Sequence, residues 1–282
     1  MQGYFDDKKR EYVITDMKPE RPWLNYLWND TLVLSTDQFG NGFSRREVGA
    51  QRREIERGVR NVYIKDRDTG EIYSANRNYG DLPFDIHETH VGINCHEVVS
   101  EYNGIKVVFS ICVPYGDAVA LYNVKVYSSG GKKRNLDVYF CIQPRPELTW
   151  HDAYGYADND EKLNGLLYRH DGFAMPNDYS KVFVGCNRKY IAYDLSHSAF
   201  RGEFNDYSNP VGLKADKLSC KGATFESEYV AAFQLRTSLE KCEQFEATFC
   251  AFAARTEEEC GKLKAKYLDE TTFSAEIEKI KA

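Results

Sequence analysis

Proline and methionine are scarce in this 282-residue chain, at 8 and 3 residues, and no stretch of eighteen apolar residues occurs in it. The first shortage excludes a proline-rich linker and the second a methionine-rich adaptable surface. Without a long apolar run there is no candidate transmembrane helix. The N-terminus is acidic and aromatic rather than basic and then apolar, so it does not read as a signal peptide, and a cytoplasmic location is expected. Positive charge is also lacking. Lys and Arg number 37 against 43 Asp and Glu, a net charge of −6, so there is no electrostatic footprint for nucleic acid. The run Lys132-Lys133-Arg134 follows Ser128-Ser129-Gly130-Gly131 and reads as a solvated hairpin tip.

Catalytic and metal signatures are missing as well. The eight cysteines are scattered with no Cys-x-x-Cys, and most sit in apolar runs, so buried reduced thiols are expected rather than disulfides. Neither a phosphate-cradling Gly-x-x-x-x-Gly-Lys nor a Gly-x-Ser-x-Gly elbow is present. His87-Glu-Thr-His90 is not His-Glu-x-x-His, and on a strand its two histidines would point to opposite faces. Asp66, Asp68 and Gly70 resemble the start of a calcium loop, but Arg77 stands where the bidentate glutamate would be, so a turn is expected. No pair of carboxylates is singled out by its setting. No cofactor or metal is expected.

What is present favours strands. Aromatic content is 14%, led by 20 Tyr and 16 Phe, in a chain 42% hydrophobic and 28% charged. The opening stretch, Gly3 to Tyr26, reads as a hairpin: Tyr4-Phe5, a polar turn at Asp6-Asp7-Lys8-Lys9, and a return strand Tyr12-Val13-Ile14-Thr15. Pro19 and Pro22 stop it. Trp23, Tyr26 and Trp28 then look like the anchors of a core corner. Further turns are expected at Gln38–Ser44, Asp66–Gly70, Glu101–Gly104 and Ser128–Gly131, with Leu136–Ile142 answering Ala118–Tyr127 across the last one. Successive hairpins at about ten-residue spacing are the mark of an antiparallel sandwich or barrel. Arg45–Arg60, dense in arginine and glutamate and bracketed by Gly49 and Gly58, reads as a solvated irregular excursion, or as a clamp for a phosphate or sugar acid. Strand rhythm weakens between Gln143 and Asn164 and then resumes.

That weaker stretch holds the candidate binding loop. In Gln143–Tyr156, the rings of Trp150, His151, Tyr154 and Tyr156 lie close in sequence to Arg145, Glu147 and Asp152. Flat rings beside charged hydrogen-bonding groups suit a sugar; the same aromatics would equally serve by folding back onto the sheet. After position 255 the pattern turns helical. Thr256 with Glu259 forms a capping box, Leu263 and Tyr267 are spaced i, i+4, and Ile277 and Ile280 share a face that looks like the start of a connection to something else.

Five segments, in order, resemble the glycoside phosphorylases of glycoside hydrolase family 94, the cellobiose and chitobiose phosphorylases. They are GYFDD…REYVIT…RPWLNYL at the start, FGNGFS (Phe39–Ser44), VYIKDRDTGEIYS (Val62–Ser74), HVGINCHEVVSEYNGIKVVFSICVP (His90–Pro114) and FRGEFNDYSNPVGL (Phe200–Leu213). The chain departs from the family's pattern at Tyr73, where the family has Trp, at Asn94, where it has Tyr, and in the loop after Tyr139–Ile142. The resemblance implies a mainly β, two-sheet antiparallel supersandwich of the galactose-mutarotase-like kind over residues 1–255, with the start of a helical linker over 256–282. It further implies that phosphorolysis of β-linked oligosaccharides, by inverting attack of phosphate, is carried by an (α/α)6 barrel expected to lie outside this chain. Arg145, Trp150, His151, Tyr154 and Tyr156 would then be substrate-binding at most, in a possible homodimer. A free-standing carbohydrate-binding module and a structural dimerisation domain are the alternative readings.

Overall fold

The computed structural model describes residues 2–48, 51–146, 155–170, 179–224 and 228–281. The first hairpin is β1 (Gly3–Asp6) with β2 (Glu11–Ile14), closed where Asp6 Oδ1 accepts the Lys8 and Lys9 amides. A meander of β3 (Leu24–Trp28), β4 (Leu32–Asp37), β5 (Gly42–Val48) and β6 (Gln51–Asp66) follows, and β7 (Ile72–Ser74) returns along β6. A second meander runs through β8 (Ile86–Gly92), β9 (Cys95–Tyr102), β10 (Ile105–Cys112) and β11 (Val119–Ser128). The β9–β10 turn is Asn103-Gly104 with φ of 50° and 72°, the left-handed pair that a tight hairpin needs and that asparagine and glycine tolerate.

Next come β12 (Arg134–Pro144), β13 (Gly155–Asp160), β14 (Gly165–His170), β15 (Lys181–Cys186) and β16 (Ala192–Ser196). Helix α1 (His197–Arg201) and a 3-10 turn at Val211–Lys214 lead to β17 (Ala223–Thr224), β18 (Tyr229–Leu239) and β19 (Gln244–Ala254). Helices α2 (Glu257–Tyr267) and α3 (Thr272–Lys281) close the described chain.

Among the described residues all of the strand pairs are antiparallel, and they form two sheets. One has eleven strands in the order β1-β2-β8-β9-β10-β11-β19-β15-β14-β13-β17. The other has eight, β16-β18-β12-β6-β5-β4-β3 with β7 beside β6. A shared core fills the space between them, from Leu27, Leu34 and Val62 to Phe140, Phe233, Phe249 and Ala253. The sandwich expected from the hairpin rhythm is the fold observed.

Four expectations change. Ala118–Tyr127 and Leu136–Ile142 do not pair with each other: β11 lies in the eleven-stranded sheet against β10 and β19, and β12 in the other against β6 and β18. Both are buried on both faces, so no polar-out alternation distinguishes a hairpin from a crossing between sheets. Arg45–Arg60 is a long two-stranded arm rather than an irregular excursion. Gly58 sits in it at φ +121°, where a Cβ would fall 1.9 Å from Gln143 Oε1, the acceptor of the Val59 amide at 3.0 Å. Tyr156 belongs to a strand, β13, where the rhythm had weakened. Trp23, Tyr26 and Trp28 are not core anchors: they are 36%, 55% and 61% exposed. Strand β3 is the edge of its sheet, and alternation turns Leu27 inward and Leu24, Tyr26 and Trp28 outward.

The outer faces are covered too. Helices α2 and α3 lay Cys260, Tyr267, Phe273 and Ile280 on Leu121, Phe183, Cys250 and Phe252, with Ile277 packed alongside, so the apolar face of α3 is occupied by the sandwich itself. On the eight-stranded sheet, Phe200, Leu213 and Leu218 cover Tyr63, Tyr139 and Cys141. Among the described residues no helix is long and apolar enough to cross a membrane.

Candidate functional site

Of the five sequence-predicted binding residues, Arg145 and Tyr156 are described, and Trp150, His151 and Tyr154 lie outside the described residues. Arg145 directly follows β12, where the register with β6 shifts between Ile142 and Pro144. Its amide donates to Ile55 O at 2.9 Å, and its guanidinium lies 4.0 Å from Glu228 Oε1. The other Glu228 oxygen is 3.1 Å from Nδ1 of the buried His197. Tyr156 stands opposite Arg169 on β14, whose guanidinium lies 5.5 Å from the centre of the Tyr156 ring. Arg169 is held there by Asp158 at 2.6 Å and Glu257 at 3.0 Å. Both residues are tied to the start of β18: Arg145 through Glu228, and Tyr156 through its neighbour Gly155, where a Cβ would meet the Tyr229 hydroxyl at 2.6 Å.

The β5–β6 arm supplies the residues that sequence reasoning did not connect to this rim. Arg53, 6% exposed, donates through Nη2 to Pro146 O at 2.6 Å and through Nε to Tyr179 O at 2.8 Å. Arg46 and Arg255 stack on the Tyr179 ring at 3.9 and 4.4 Å. One buried guanidinium therefore clips two chain segments together, and two more flank an aromatic face. Three other arginines of the arm are spent on carboxylates: Arg45 on Glu47, Arg57 on Glu54 and Arg60 on Glu56. That pairing overturns the anion clamp for Arg45, Arg57 and Arg60, since a guanidinium already bonded to a carboxylate has little left for phosphate. The rim thus brings together aromatic faces, a carboxylate, an imidazole and the Arg46 and Arg255 guanidiniums.

The two histidines of the His87–His90 segment do not converge on a metal. His87 Nε2 lies 3.3 Å from Asn76 O, and His90 bridges Glu11 and Glu88 at 3.1 and 3.0 Å. Among the described residues no group of three histidines, cysteines or carboxylates could hold a metal ion. Asp66–Gly70 is a turn, with Asp66 Oδ1 accepting the Asp68 and Thr69 amides.

Against known families, residues 10–270 match the family described as glycosyl hydrolase 94, supersandwich domain. The chain belongs to this family. Among the family 94 relatives it resembles are cellobionic acid phosphorylase from Neurospora crassa, 30% identical over 222 residues, and 3-O-beta-D-glucopyranosyl-beta-D-glucuronide phosphorylase from Paenibacillus borealis, 26% identical over 270 residues. These matches cover 75% and 94% of this chain but 27% and 35% of the relatives, so the chain spans about a third of their length. Among solved structures, the "Putative kojibiose phosphorylase from human microbiome" superposes with a TM-score of 0.50 at 10% identity, over 99% of this chain and 38% of that one, a likeness of fold.

In this family 94 chain Asn94 and Tyr73 have clear structural roles. Asn94, at the β8–β9 turn with φ 51°, accepts the Trp28 amide at 2.8 Å and donates to Trp28 O at 3.0 Å, so it closes the end of the β3 edge. Tyr73 is buried edge-on against Tyr102 and Phe84.

Proposed function

We propose that this chain is the sandwich part of a family 94-type phosphorylase that cleaves β-linked di- or oligosaccharides with inorganic phosphate, in the cytoplasm. In this reading the sandwich is non-catalytic. The general acid comes from an (α/α)6 barrel, in the same polypeptide or another, and the Arg145–Tyr156 rim, with Trp150, His151 and Tyr154, borders the sugar site across a homodimer. The observation that carries it is the family match over residues 10–270, together with relatives whose names are those of disaccharide phosphorylases. The rim supports it by carrying two aromatic rings, Tyr156 faced by Arg169 and Tyr179 faced by Arg46, and a Glu228–His197 pair, residue types suited to a sugar ring.

The test is release of sugar 1-phosphate from cellobiose, N,N'-diacetylchitobiose and glucosyl-glucuronide. The purified chain is assayed with phosphate, alone and with a family 94 barrel. No turnover alone and turnover with the barrel is the expected result, and turnover by the chain alone would overturn it. In the active assembly Tyr156→Ala is expected to raise KM with little change in kcat, since the ring would touch substrate and not the reacting bond.

A further inference from the structure

A cavity of about 270 Å³ lies where the two sheets meet, lined by Tyr12 and Ile14 of β2, Trp23, Leu24 and Asn25 at β3, Thr36 and Asp37 of β4, Gln38, Val91 and His96. It shares no residue with the Arg145–Tyr156 rim. Two of its side chains are anomalous. His96 is 1% exposed, and among the described residues neither ring nitrogen makes a well-formed hydrogen bond, the Asp37 main chain being the polar group beside it; the buried Nδ2 of Asn25 has no partner among them either. Buried polar groups are nearly always bonded, because leaving one unpaired forfeits its hydration with nothing in return. Three unpaired polar atoms on one cavity therefore point to something that enters it.

The chemistry of the walls defines that ligand. No Lys or Arg lines the cavity, so an anion has no counter-charge there. The one carboxylate, Asp37, already accepts from the Phe39 amide at 2.8 Å and from the Asn41 amide at 2.9 Å, so a cation is not invited either. Burial, and next to it the Arg60 charge, holds the His96 imidazole neutral by lowering its pKa to about 3. A neutral imidazole gives one donor and one acceptor, and the Asn25 amide adds a donor. Thr36 donates to Asp37 O at 3.1 Å, and Gln38 Oε1 accepts the Trp23 amide at 3.1 Å. The other walls are apolar or aromatic: Ile14, Leu24 and Val91, with the Tyr12 and Trp23 rings 5.6 Å apart and Phe5 edge-on to Tyr12 at 4.8 Å. Trp23 and Leu24 are the exposed lining residues, so the mouth is aromatic.

We propose that this inter-sheet cavity binds one neutral sugar ring, its hydroxyl edge on His96 and Asn25 and its apolar face on Trp23. The inference stands on the cavity alone. Its failure would leave the phosphorylase reading untouched, and the reverse also holds.

The test is calorimetric titration of the full chain with D-glucose, N-acetyl-D-glucosamine and inorganic phosphate, with the His96 ring nitrogens followed by NMR. Saturable binding of a hexose that shifts the His96 resonances is expected, with phosphate inert. Trp23→Ala at the mouth is expected to weaken binding about tenfold. Asn25→Ala and His96→Leu should each weaken it at least about fivefold. Should His96→Leu fail to fold, Asn25→Ala with an unchanged circular dichroism spectrum decides alone. No saturable binding by either sugar, binding indifferent to Trp23 and Asn25, phosphate binding instead, or a crystal structure with ordered water only in the cavity of sugar-soaked protein would each overturn the proposal.

Discussion

Arg60 is the one charged side chain among the largest fully buried residues, and its surroundings explain how the sandwich tolerates it. Its guanidinium meets Glu56, also fully buried, and donates to the Ser35 and Gly40 carbonyls at 2.9 Å each; Tyr122 OH donates to the same Glu56 at 3.0 Å. Removing one partner leaves the other charge buried and unpaired, so Glu56→Ala is expected to cost about 3–5 kcal/mol, against about 1 kcal/mol for Tyr122→Phe. Urea unfolding checks both, and a loss for Glu56→Ala no larger than that for Tyr122→Phe would show that the carboxylate is not what balances Arg60. His96 predicts a pH dependence. Its ordinary pKa of 6.5 falls to about 3 in the fold through burial, with the Arg60 and His90 charges adding. The unfolded chain therefore binds the proton more readily between those values, and the stability that neutral His96 permits is whole above pH 6.5 and shrinks as pH falls towards 3. Between pH 7 and pH 5 the wild type should lose about 2 kcal/mol more than His96→Leu. Equal losses, read from urea midpoints at the two pH values, would contradict it.

Among the elements, the C-terminal helices give the sharpest contrast between pattern and packing. The cap was legible in the sequence: Thr256 Oγ1 accepts the Glu259 amide at 3.1 Å, and Glu259 reaches back to the Arg255 amide at 2.9 Å. Thr256→Ala should accordingly cost about 1 kcal/mol. What Ile277 and Ile280 face was not legible, because an apolar helical stripe looks the same whether it meets its own domain or another. Here it meets the outer face of the eleven-stranded sheet, with Tyr267 OH and Lys266 Nζ both on Asp117 at 2.8 and 2.6 Å. Truncation after Arg255 would uncover Leu121, Phe183 and Phe252. Such a chain should bind a hydrophobic dye and aggregate, whereas helices serving as a mere connection would be removed without effect. The strands divide in the same way. Turns marked by their own chemistry, such as Asn103-Gly104 and Asp66–Gly70, were legible from residue type. The separation of β11 and β12 was not, since a strand covered on both faces carries no directional pattern. The candidate site was legible in part for a related reason: Arg145 and Tyr156 drew notice as types, but the arm that fixes the rim through Arg53 is 92 residues from Arg145 in sequence and meets it through the β6–β12 register and the Arg53–Pro146 contact, which no local pattern shows.

For the whole molecule, that same crossing predicts how it unfolds. On length alone, a chain of 282 residues in two sheets would come apart as two layers, with an intermediate in which one sheet survives. The connections argue otherwise. β11 is followed directly by β12, and β18 by β19, yet each pair is split between the sheets, so the central strands of one layer are tethered at both places to the central strands of the other. Between them lies one core, in which Phe109 and Tyr122 from one sheet and Phe140 from the other stack at 5.3 to 6.5 Å, and Phe140 meets Phe249 at 4.3 Å. Losing either sheet would expose that core to water at once, a cost neither layer can offset alone. Unfolding should therefore be a single transition, apart from fraying of the β1–β2 hairpin at its edge. Amide hydrogen exchange in β10–β11 and in β12–β18 should converge on one free energy, and urea curves from circular dichroism and tryptophan fluorescence should superimpose. Separate midpoints, or protection surviving in one sheet after the other has exchanged, would show that the layers fold independently and that the crossings couple them in sequence without coupling them in energy.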